Sequence, residues 1–303
     1  MNTIKKTKKI ISGLSIALAM ALILAVMSAL TVSAADTVVK NTKAQIDFTD
    51  SNATGTVKIN VVAKTDKKVK IAVEKGDKKY NYDLNGDGKV ESYPLQWGNG
   101  EYTVKVLIQA SDPNKYSVAL TQKIKLELKD EKAPYMNPSQ LVNYNKDSEI
   151  VKKAAELAKN TKTELEKVEA IYKFVIQSLA YDTKKATTVQ SGYIPDVDKI
   201  VDSGLGICFD YAAVLAAMLR SQGIPAKLVM GYVKAPNSKD PVYHAWNEFY
   251  LAEKGGWFKI NEMKFDGKKF ERVDPTFDSS NKSNKASIKF IGDGSNYSKS
   301  WDF

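Results

Sequence analysis

Two side chains that occur only once each, Cys208 and His244, could together perform nucleophilic chemistry. A thiolate is a strong nucleophile, and an imidazole is the usual base that takes its proton near neutral pH. Cys208 follows Gly204 and Gly206 and begins an apolar pattern of helical period, so we expect it at a helix N-terminus. The helix dipole and the unpaired N–H groups there favour a thiolate. We interpret Cys208 as a nucleophile; the alternative is a cysteine that acts as a small buried hydrophobic residue.

A nucleophile and base of this kind also need an acceptor that orients the imidazole. His244 lies in a predicted strand whose alternation places it on the same face as Trp246. Asp274 is the preferred acceptor, because it ends a predicted strand and the proline after it holds it in an extended conformation. Asn261 is the second candidate.

The surrounding pattern predicts an α+β unit over residues 131–303, in which helices come first and an antiparallel sheet follows. Helices are predicted over 148–159, over 163–179 after a capping box, and from Cys208 to a stop at Gly223, with one helical turn over 196–201. Strands are predicted over 226–233 with a bulge at Gly231, and over 242–251, 257–260 and 270–273. Residues 181–195 are predicted to be turn-like, 265–268 a hairpin turn, and the aromatic segment 288–303 a docked tail.

Residues 36–130 are predicted to be all-β, in a sandwich of the immunoglobulin-like kind. Short stretches alternate apolar and polar residues, and turns rich in glycine, asparagine and aspartate separate them. These stretches are 56–63, 69–73, 80–84, 102–108 and 117–128. We interpret this domain as a spacer or docking domain.

One turn of this domain matches the first half of an EF-hand calcium loop. Asp83, Asn85 and Asp87 stand at alternate positions, and Gly88 takes the sixth position. The twelfth position, where a bidentate glutamate belongs, is Pro94, and the flanking segments are predicted strands. We therefore prefer a polar hairpin turn, keep calcium as a weak alternative and expect no cofactor.

The N-terminus has the composition of an export signal. Four lysines within the first nine residues precede an apolar run over 10–30, and small residues around Ala34 fit a cleavage site. We predict that residues 1–35 are a signal peptide; an uncleaved membrane anchor is the alternative. The protein is accordingly predicted to be secreted or to lie at a bacterial cell surface.

Composition limits the classes of partner. An apolar content of 43% indicates a globular protein, and a formal charge of +10 indicates a lysine-rich surface. One cysteine excludes an internal disulfide. An exported chain without a binding motif is not expected to bind nucleic acid, and attraction to anionic cell-wall polymers is a weaker alternative. The sequence predicts no oligomeric state.

Three local contexts resemble the transglutaminase-like superfamily, in the order Cys, His, Asp within residues 140–280. They are Gly206-Ile-Cys208-Phe-Asp-Tyr211-Ala212, His244-Ala-Trp246-Asn247 and Asp274-Pro275-Thr276. The approach through Tyr181-Asp182 and Ile194-Pro195-Asp196 is similar to exported bacterial members.

The resemblance implies a papain-like core in which Cys208 attacks an amide carbonyl, His244 acts as base and then acid, and Asp274 orients the imidazole. It implies a thioester whose acyl group passes to an amine or to water. Trp246 and Tyr211 are expected to shape the substrate and oxyanion site. The expected substrate is a protein or peptide at the cell surface. The alternatives are a cysteine protease or amidase on surface peptides, and a non-catalytic adhesion or scaffold module with the same fold.

Overall fold

A computed structural model describes residues 37–234, 239–252, 258–260, 263–265, 271–280, 291 and 294–303. The predicted signal segment, the second acceptor candidate Asn261, and most of the predicted turn at 265–268 lie outside the described residues. Within the described part, no helix is both long and apolar enough to cross a membrane.

Residues 38–126 form two four-stranded antiparallel sheets and a short helix, α1 (Ser51–Thr54). The first sheet has the order β1 (Val38–Lys40), β2 (Ala44–Asp47), β3 (Thr56–Val61), β6 (Glu91–Pro94). The second has the order β5 (Lys78–Leu84), β4 (Val69–Lys75), β7 (Gly100–Gln109), β8 (Tyr116–Leu126). The β-rich content of this part is confirmed, and the immunoglobulin-like sandwich stays a prediction.

Alternation in these strands follows from the burial of one face. Ile59 and Val61 in β3, and Val104 and Val106 in β7, are fully buried and belong to one hydrophobic core. The residues between them are more exposed. β5 lies at an edge of its sheet.

The remainder of the chain is a mixed α/β arrangement around a four-stranded antiparallel sheet. Its helices are α2 (Glu149–Ala158), α3 (Glu164–Ser178), α4 (Thr183–Thr188), α5 (Val197–Ser203), α6 (Cys208–Ser221) and α7 (Pro275–Ser280), with a 3₁₀ turn at Ala133–Tyr135. The sheet has the order β15 (Glu271–Val273), β12 (Val242–Phe249), β11 (Ala226–Val233), β16 (Tyr297–Asp302). Two short pairs accompany it: β9 (Ala180–Tyr181) with β10 (Leu205–Gly206), and β13 (Phe258–Ile260) with β14 (Met263–Phe265).

Helix ends follow the predicted signals. Thr163 Oγ1 accepts a hydrogen bond from Glu166 N at 3.1 Å and so caps α3. Gly223, with φ +77°, takes the left-handed conformation beyond the end of α6. The turn-like prediction for residues 181–195 is wrong over α4, because Asp182 caps a short helix there by accepting from Lys185 N at 2.8 Å. Helix α7 was not predicted.

Helix α6 is the core of this part of the chain. Residues 211–219 are all 0% exposed, and the helix packs against β11, β12, α2 and α3. A helix surrounded in this way cannot shift without disturbing close packing on every side. The backbone position of Cys208 is therefore fixed by the core.

The predicted docking of the C-terminal segment is confirmed. β16 pairs with β11, and Phe303 is 0% exposed. The ring of Tyr80, from β5, packs edge-on against Trp301 at 5.2 Å and against Phe303 at 4.7 Å. The C-terminal strand thus connects the second N-terminal sheet to the central sheet.

The predicted bulge in β11 is also confirmed, since the register with β16 shifts between Met230 and Gly231. A Cβ at Gly231 would lie 2.1 Å from the carbonyl oxygen of Ser298. Only glycine lets the two strands approach this closely.

A buried cation, Arg220, joins three segments near the end of α6. It is 3% exposed, and its guanidinium donates to main-chain oxygens of Asn137 at 2.7 Å, Ala226 at 2.8 Å and Phe303 at 2.6 Å. Burial lowers the pKa of Arg220 from 12.5 to about 10, so the group remains charged at neutral pH. Charge-assisted bonds to all three segments compensate for the burial of the charge.

We predict that Arg220→Met lowers the free energy of unfolding by about 3 kcal/mol or more, because it removes three charge-assisted hydrogen bonds that join separate segments. Urea unfolding followed by circular dichroism measures this. Lys152→Met, which removes an exposed ion pair with Glu149, is the control and should leave the midpoint unchanged. Equal midpoints for the two variants would contradict this account of Arg220.

Candidate active site

The structure brings Cys208, His244 and Asp274 together. His244 Nε2 lies 2.6 Å from Asp274 Oδ2, and the two residues are 6% and 0% exposed. Cys208 lines the same cavity as His244 and is close enough to contribute to the raised pKa of the imidazole. The thiol itself is half-buried. The three residues that are far apart in sequence thus meet at one cavity, with the imidazole next to both the thiol and the carboxylate.

Cys208 is the first residue of α6, as predicted. Ile207 before it is extended, and Gly206 pairs with Tyr181 in the short parallel bridge between β9 and β10. A Cβ at Gly206 would lie only 2.9 Å from the Cβ of Asp210, which explains the glycine. The backbone at Gly206 is therefore closely packed against α6, and Cys208 follows it at the helix N-terminus, where backbone N–H groups are unpaired.

Asp274 is held by four hydrogen bonds. Its Oδ1 accepts from the backbone N–H groups of Thr276 at 3.1 Å and Phe277 at 3.2 Å, in the manner of a cap on α7. Its Oδ2 faces His244 and also accepts from Tyr297 Oη at 2.8 Å. A carboxylate satisfied on both oxygens has a fixed orientation, and it fixes the ring that it contacts.

Tyr297 is a site residue that sequence reasoning missed. It lies in β16, and its ring packs edge-on against Trp246 at 5.0 Å. Burial, followed by the charge of Asp274, raises the pKa of Tyr297, so its hydroxyl remains a donor. The aromatic character of the C-terminal segment predicted that it docks, but nothing in the sequence indicated a bond to Asp274.

A second buried carboxylate, Asp210, lies two residues after Cys208 in α6 and is 0% exposed. Its Oδ2 accepts from Ile207 N at 2.9 Å and from Lys185 Nζ at 2.6 Å, and its Oδ1 accepts from Tyr193 Oη at 2.7 Å. These contacts fasten α4 and the residues after it to the start of α6. The sequence suggested none of these pairs, since 25 residues separate Lys185 from Asp210.

Asn247 connects the strand of the histidine to the helix of the cysteine. Its Nδ2 donates to Ala212 O at 2.9 Å in α6 and to Lys227 O at 3.0 Å in β11. It lies three residues after His244, and Ala212 lies four after Cys208. The amide therefore sets the distance between the two elements that carry the thiol and the imidazole.

Trp246 and Tyr211, predicted to shape the substrate and oxyanion site, are both buried, at 1% and 0% exposure. Trp246 stacks against His244 with 6.3 Å between ring centroids. Tyr211 Oη donates to Leu179 O at 2.7 Å in the core. Neither lines the cavity at the thiol, so their contacts position neighbouring groups of the site.

A cavity of about 560 Å³ opens over Cys208 and His244. Tyr181 and Tyr243 line it, and both are substantially exposed, at 39% and 55%. Its opposite wall comes from the N-terminal part of the chain, through Lys70 and residues 80–83. The cavity is large enough for a side chain and its flanking peptide.

Two of the weak calcium candidates, Asp83 and Asp87, form ion pairs with lysines. Asp83 pairs with Lys70 at 2.7 Å, and Asp87 pairs with Lys89 at 3.2 Å. Within the described residues, no group of three or more histidine, cysteine, aspartate or glutamate side chains could hold a metal ion. Both carboxylates therefore have cationic partners in the structure.

The environment of His244 favours its protonated form. Burial alone lowers the pKa of His244, but the charge and hydrogen bond of Asp274, together with the contact to Cys208, outweigh it and raise this pKa from 6.5 to about 10. The imidazole accordingly carries a proton at neutral pH and places a positive charge beside the thiol.

Comparison with known proteins agrees with this geometry. Residues 151–262 match the model of the transglutaminase-like superfamily. A protein-glutamine gamma-glutamyltransferase of Pseudomonas aeruginosa is 30% identical over 99 residues, which cover 30% of this chain and 14% of that protein. The uncharacterized protein YebA of Bacillus subtilis is 25% identical over 124 residues, which cover 37% of this chain and 17% of that protein.

Among solved structures, a candidate cysteine protease from Cytophaga hutchinsonii superposes with a TM-score of 0.41 and 17% identity, over 82% of this chain and 75% of that one. A likeness this low gives no information on activity. The match to the family model covers Cys208 and His244, while Asp274 lies beyond its end. The resemblance predicted from the motifs is confirmed by the match of residues 151–262 to the model of the transglutaminase-like superfamily, and this chain spans less than a fifth of the length of either relative.

We predict that the imidazole of His244 titrates far above 6.5, near 10, and that Asp274→Asn lowers its pKa, because the carboxylate is the main group that raises it. NMR of the imidazole protons measures this without ambiguity, since the chain has one histidine. Unfolding provides a second readout. In the unfolded chain His244 loses its proton near 6.5, so its contribution to stability is fully present below that pH and is lost as pH rises towards 10.

An imidazole that titrates near 6.5 in the folded protein would contradict the geometry described here. Asp202→Asn, which changes an exposed carboxylate in α5, is the control and should leave the titration of His244 unchanged.

Proposed function

We propose that this protein is an exported thiol acyl-transfer enzyme that attacks amide carbonyls, with Cys208 as nucleophile, His244 as general base and acid, and Asp274 as the residue that orients the imidazole. The observation that carries the proposal is the buried contact of 2.6 Å between His244 and Asp274, together with the position of Cys208 and His244 at the same cavity. A lone structural cysteine has no need of an oriented imidazolium.

In the first step the Cys208 thiolate attacks the amide carbon, a C–S bond forms, and the carbonyl oxygen becomes an oxyanion. The backbone N–H of Cys208 is one donor for that oxyanion, because it is an unpaired amide at the start of α6. The C–N bond then breaks, and His244 gives its proton to the leaving nitrogen. For a glutamine side chain the leaving group is ammonia, and a thioester remains on Cys208.

In the second step an amine or a water molecule attacks the thioester carbon. His244, now neutral, takes a proton from the attacking nitrogen or oxygen, and the C–S bond breaks to restore the thiolate. An amine gives a cross-link, and water gives deamidation or, when the first step was at a peptide bond, proteolysis. Cross-linking and hydrolysis share the three residues and differ in the access of water to the thioester.

The cellular setting belongs to the same proposal. A lysine-rich start followed by an apolar run and small residues supports export, and we propose protein or peptide substrates at a bacterial cell surface. We also propose that the two N-terminal sheets form an immunoglobulin-like sandwich, for which the strand pattern and two separate four-stranded antiparallel sheets are the support.

Mass spectrometry of a glutamine-containing peptide library, with and without a primary amine, tests the reaction. An amine adduct indicates transamidation, conversion of the amide to an acid indicates deamidation, and chain cleavage indicates proteolysis. Library peptides that remain unchanged with the unmodified chain under all conditions would refute the proposal.

We predict that Cys208→Ala, His244→Ala and Asp274→Asn each reduce turnover by about 10³-fold or more, and that double variants lose little beyond the single ones, because the three residues act as a unit. Rates of ammonia release from a glutamine peptide measure this. Asn261→Ala is the matched control and should retain activity. Normal turnover in Asp274→Asn together with loss in Asn261→Ala would show that the third residue is Asn261.

A further inference from the structure

One wall of the cavity over Cys208 is an edge strand. β5 is the outermost strand of its sheet and pairs only with β4 among the described strands. Four consecutive residues of β5, from Tyr80 to Asp83, line the cavity. Successive side chains of a strand point to opposite faces of the sheet. If the cavity lay against one face, only every second residue of β5 would line it. β5 therefore presents its edge to the cavity.

Gln140 reveals which backbone groups of β5 point outward. Its side-chain amide donates to the carbonyl oxygen of Asp83, from the side opposite β4. In an antiparallel pair the outward groups recur at every second residue, so Asn81 and Lys79 point the same way. Asn81, which stands opposite Ala72 of β4, thus has an N–H and a C=O directed away from its sheet.

Of these two outward residues, only Asn81 lines the cavity. Its side chain is exposed, and within the described residues nothing bonds its outward N–H or C=O. Exposed edges of this kind are usually blocked in proteins, because they pair with other extended chains. The edge of β5 at Asn81 is not blocked in this way, and it borders the cavity that contains Cys208.

The edge and the thiol are linked by a short path along the cavity. Tyr80 of β5, Tyr243 and Cys208 all line this one cavity. A chain that lies along β5 therefore passes Tyr243 and approaches the thiol.

We propose that the free edge of β5 at Asn81 binds the acyl-donor substrate as an added strand, so that the substrate is an extended peptide segment held by main-chain hydrogen bonds while one side chain enters towards Cys208. The proposal rests on the proposed function. Main-chain pairing supplies affinity with little dependence on the peptide sequence. The N-terminal part of the chain then takes part in substrate binding, beyond the spacer or docking role expected from the sequence.

Proline substitution provides the test. At Asn81, proline removes the outward N–H and blocks strand addition, yet it breaks no bond to β4, because that N–H points away from the sheet. Lys79→Pro makes the same change at an outward position outside the cavity and is the matched control. The probes are acetyl-glutamine-amide and an acetylated octapeptide with one central glutamine, about 26 Å long when extended.

For the octapeptide we expect Asn81→Pro to raise KM about tenfold, as the loss of one or two main-chain bonds would. Acetyl-glutamine-amide should be affected much less, and Lys79→Pro should match the unmodified chain with both probes. Binding of a fluorescent octapeptide to the Cys208→Ala variant gives a second measurement. Two N-methylated octapeptides are compared, one methylated at the odd-numbered peptide nitrogens and one at the even-numbered nitrogens. Only the peptide whose methyl groups replace the N–H groups that face β5 should lose affinity.

Equal octapeptide KM values for Asn81→Pro and Lys79→Pro, or equal affinity for both N-methylated registers, would overturn the proposal. So would concentration-dependent dimerisation that Asn81→Pro abolishes, since a second copy would then occupy the edge. Failure of the proposed function has a different signature: the unmodified chain would release no ammonia from either probe, while octapeptide binding to Cys208→Ala could still be measured.

Discussion

A carboxylate with no exposed surface is stable in a protein interior only when its lone pairs are occupied, and Asp274 satisfies this requirement with four partners from three elements. Its backbone partners belong to α7, its imidazole partner to β12 and its hydroxyl partner to β16. Each contact has a structural cost if lost, because removal leaves a buried charge partly unpaired. The orientation of His244 is therefore a consequence of how the domain folds, and the positive charge beside the thiol follows from it.

Asp210 imposes the same requirement on the other side of the thiol. Lys185 neutralises it, and Tyr193 and the N–H of Ile207 complete its bonds. Without Lys185 a second negative charge would stand close to Cys208 and oppose a thiolate. The segment from α4 to Tyr193 also borders the cavity, and its bonds from Lys185 and Tyr193 to the buried charge of Asp210 hold it there.

The chemistry-bearing residues could be predicted because their types are rare in this chain and their local contexts are specific. Cys208 and His244 are single occurrences, and a helix start and a strand are visible in the pattern around each. Tyr297 and Lys185 could not be predicted, because one tyrosine among 15 and one lysine of many look alike until the tertiary fold selects them. Helix α4 was missed for a related reason: it has no buried face, so its sequence carries no helical apolar period.

The largest gap between sequence and structure concerns the N-terminal sheets. Strand periodicity identified β5 as a strand but gave no information on which strand lies at an edge or what that edge faces. Those properties depend on sheet order and on the docking of Tyr80 against Trp301 and Phe303, which are contacts across more than 200 residues. Long-range pairing of this kind leaves no local signature.

The central claim is that Cys208 is an activated nucleophile. The rate of its alkylation by iodoacetamide at about pH 6 to 7 tests this most directly, and a single cysteine makes the labelled position certain. We predict alkylation about tenfold or more faster than that of a free thiol such as N-acetylcysteine, because the sulfur lies at a helix N-terminus beside a cationic imidazole. A rate no faster than that of the free thiol would contradict it.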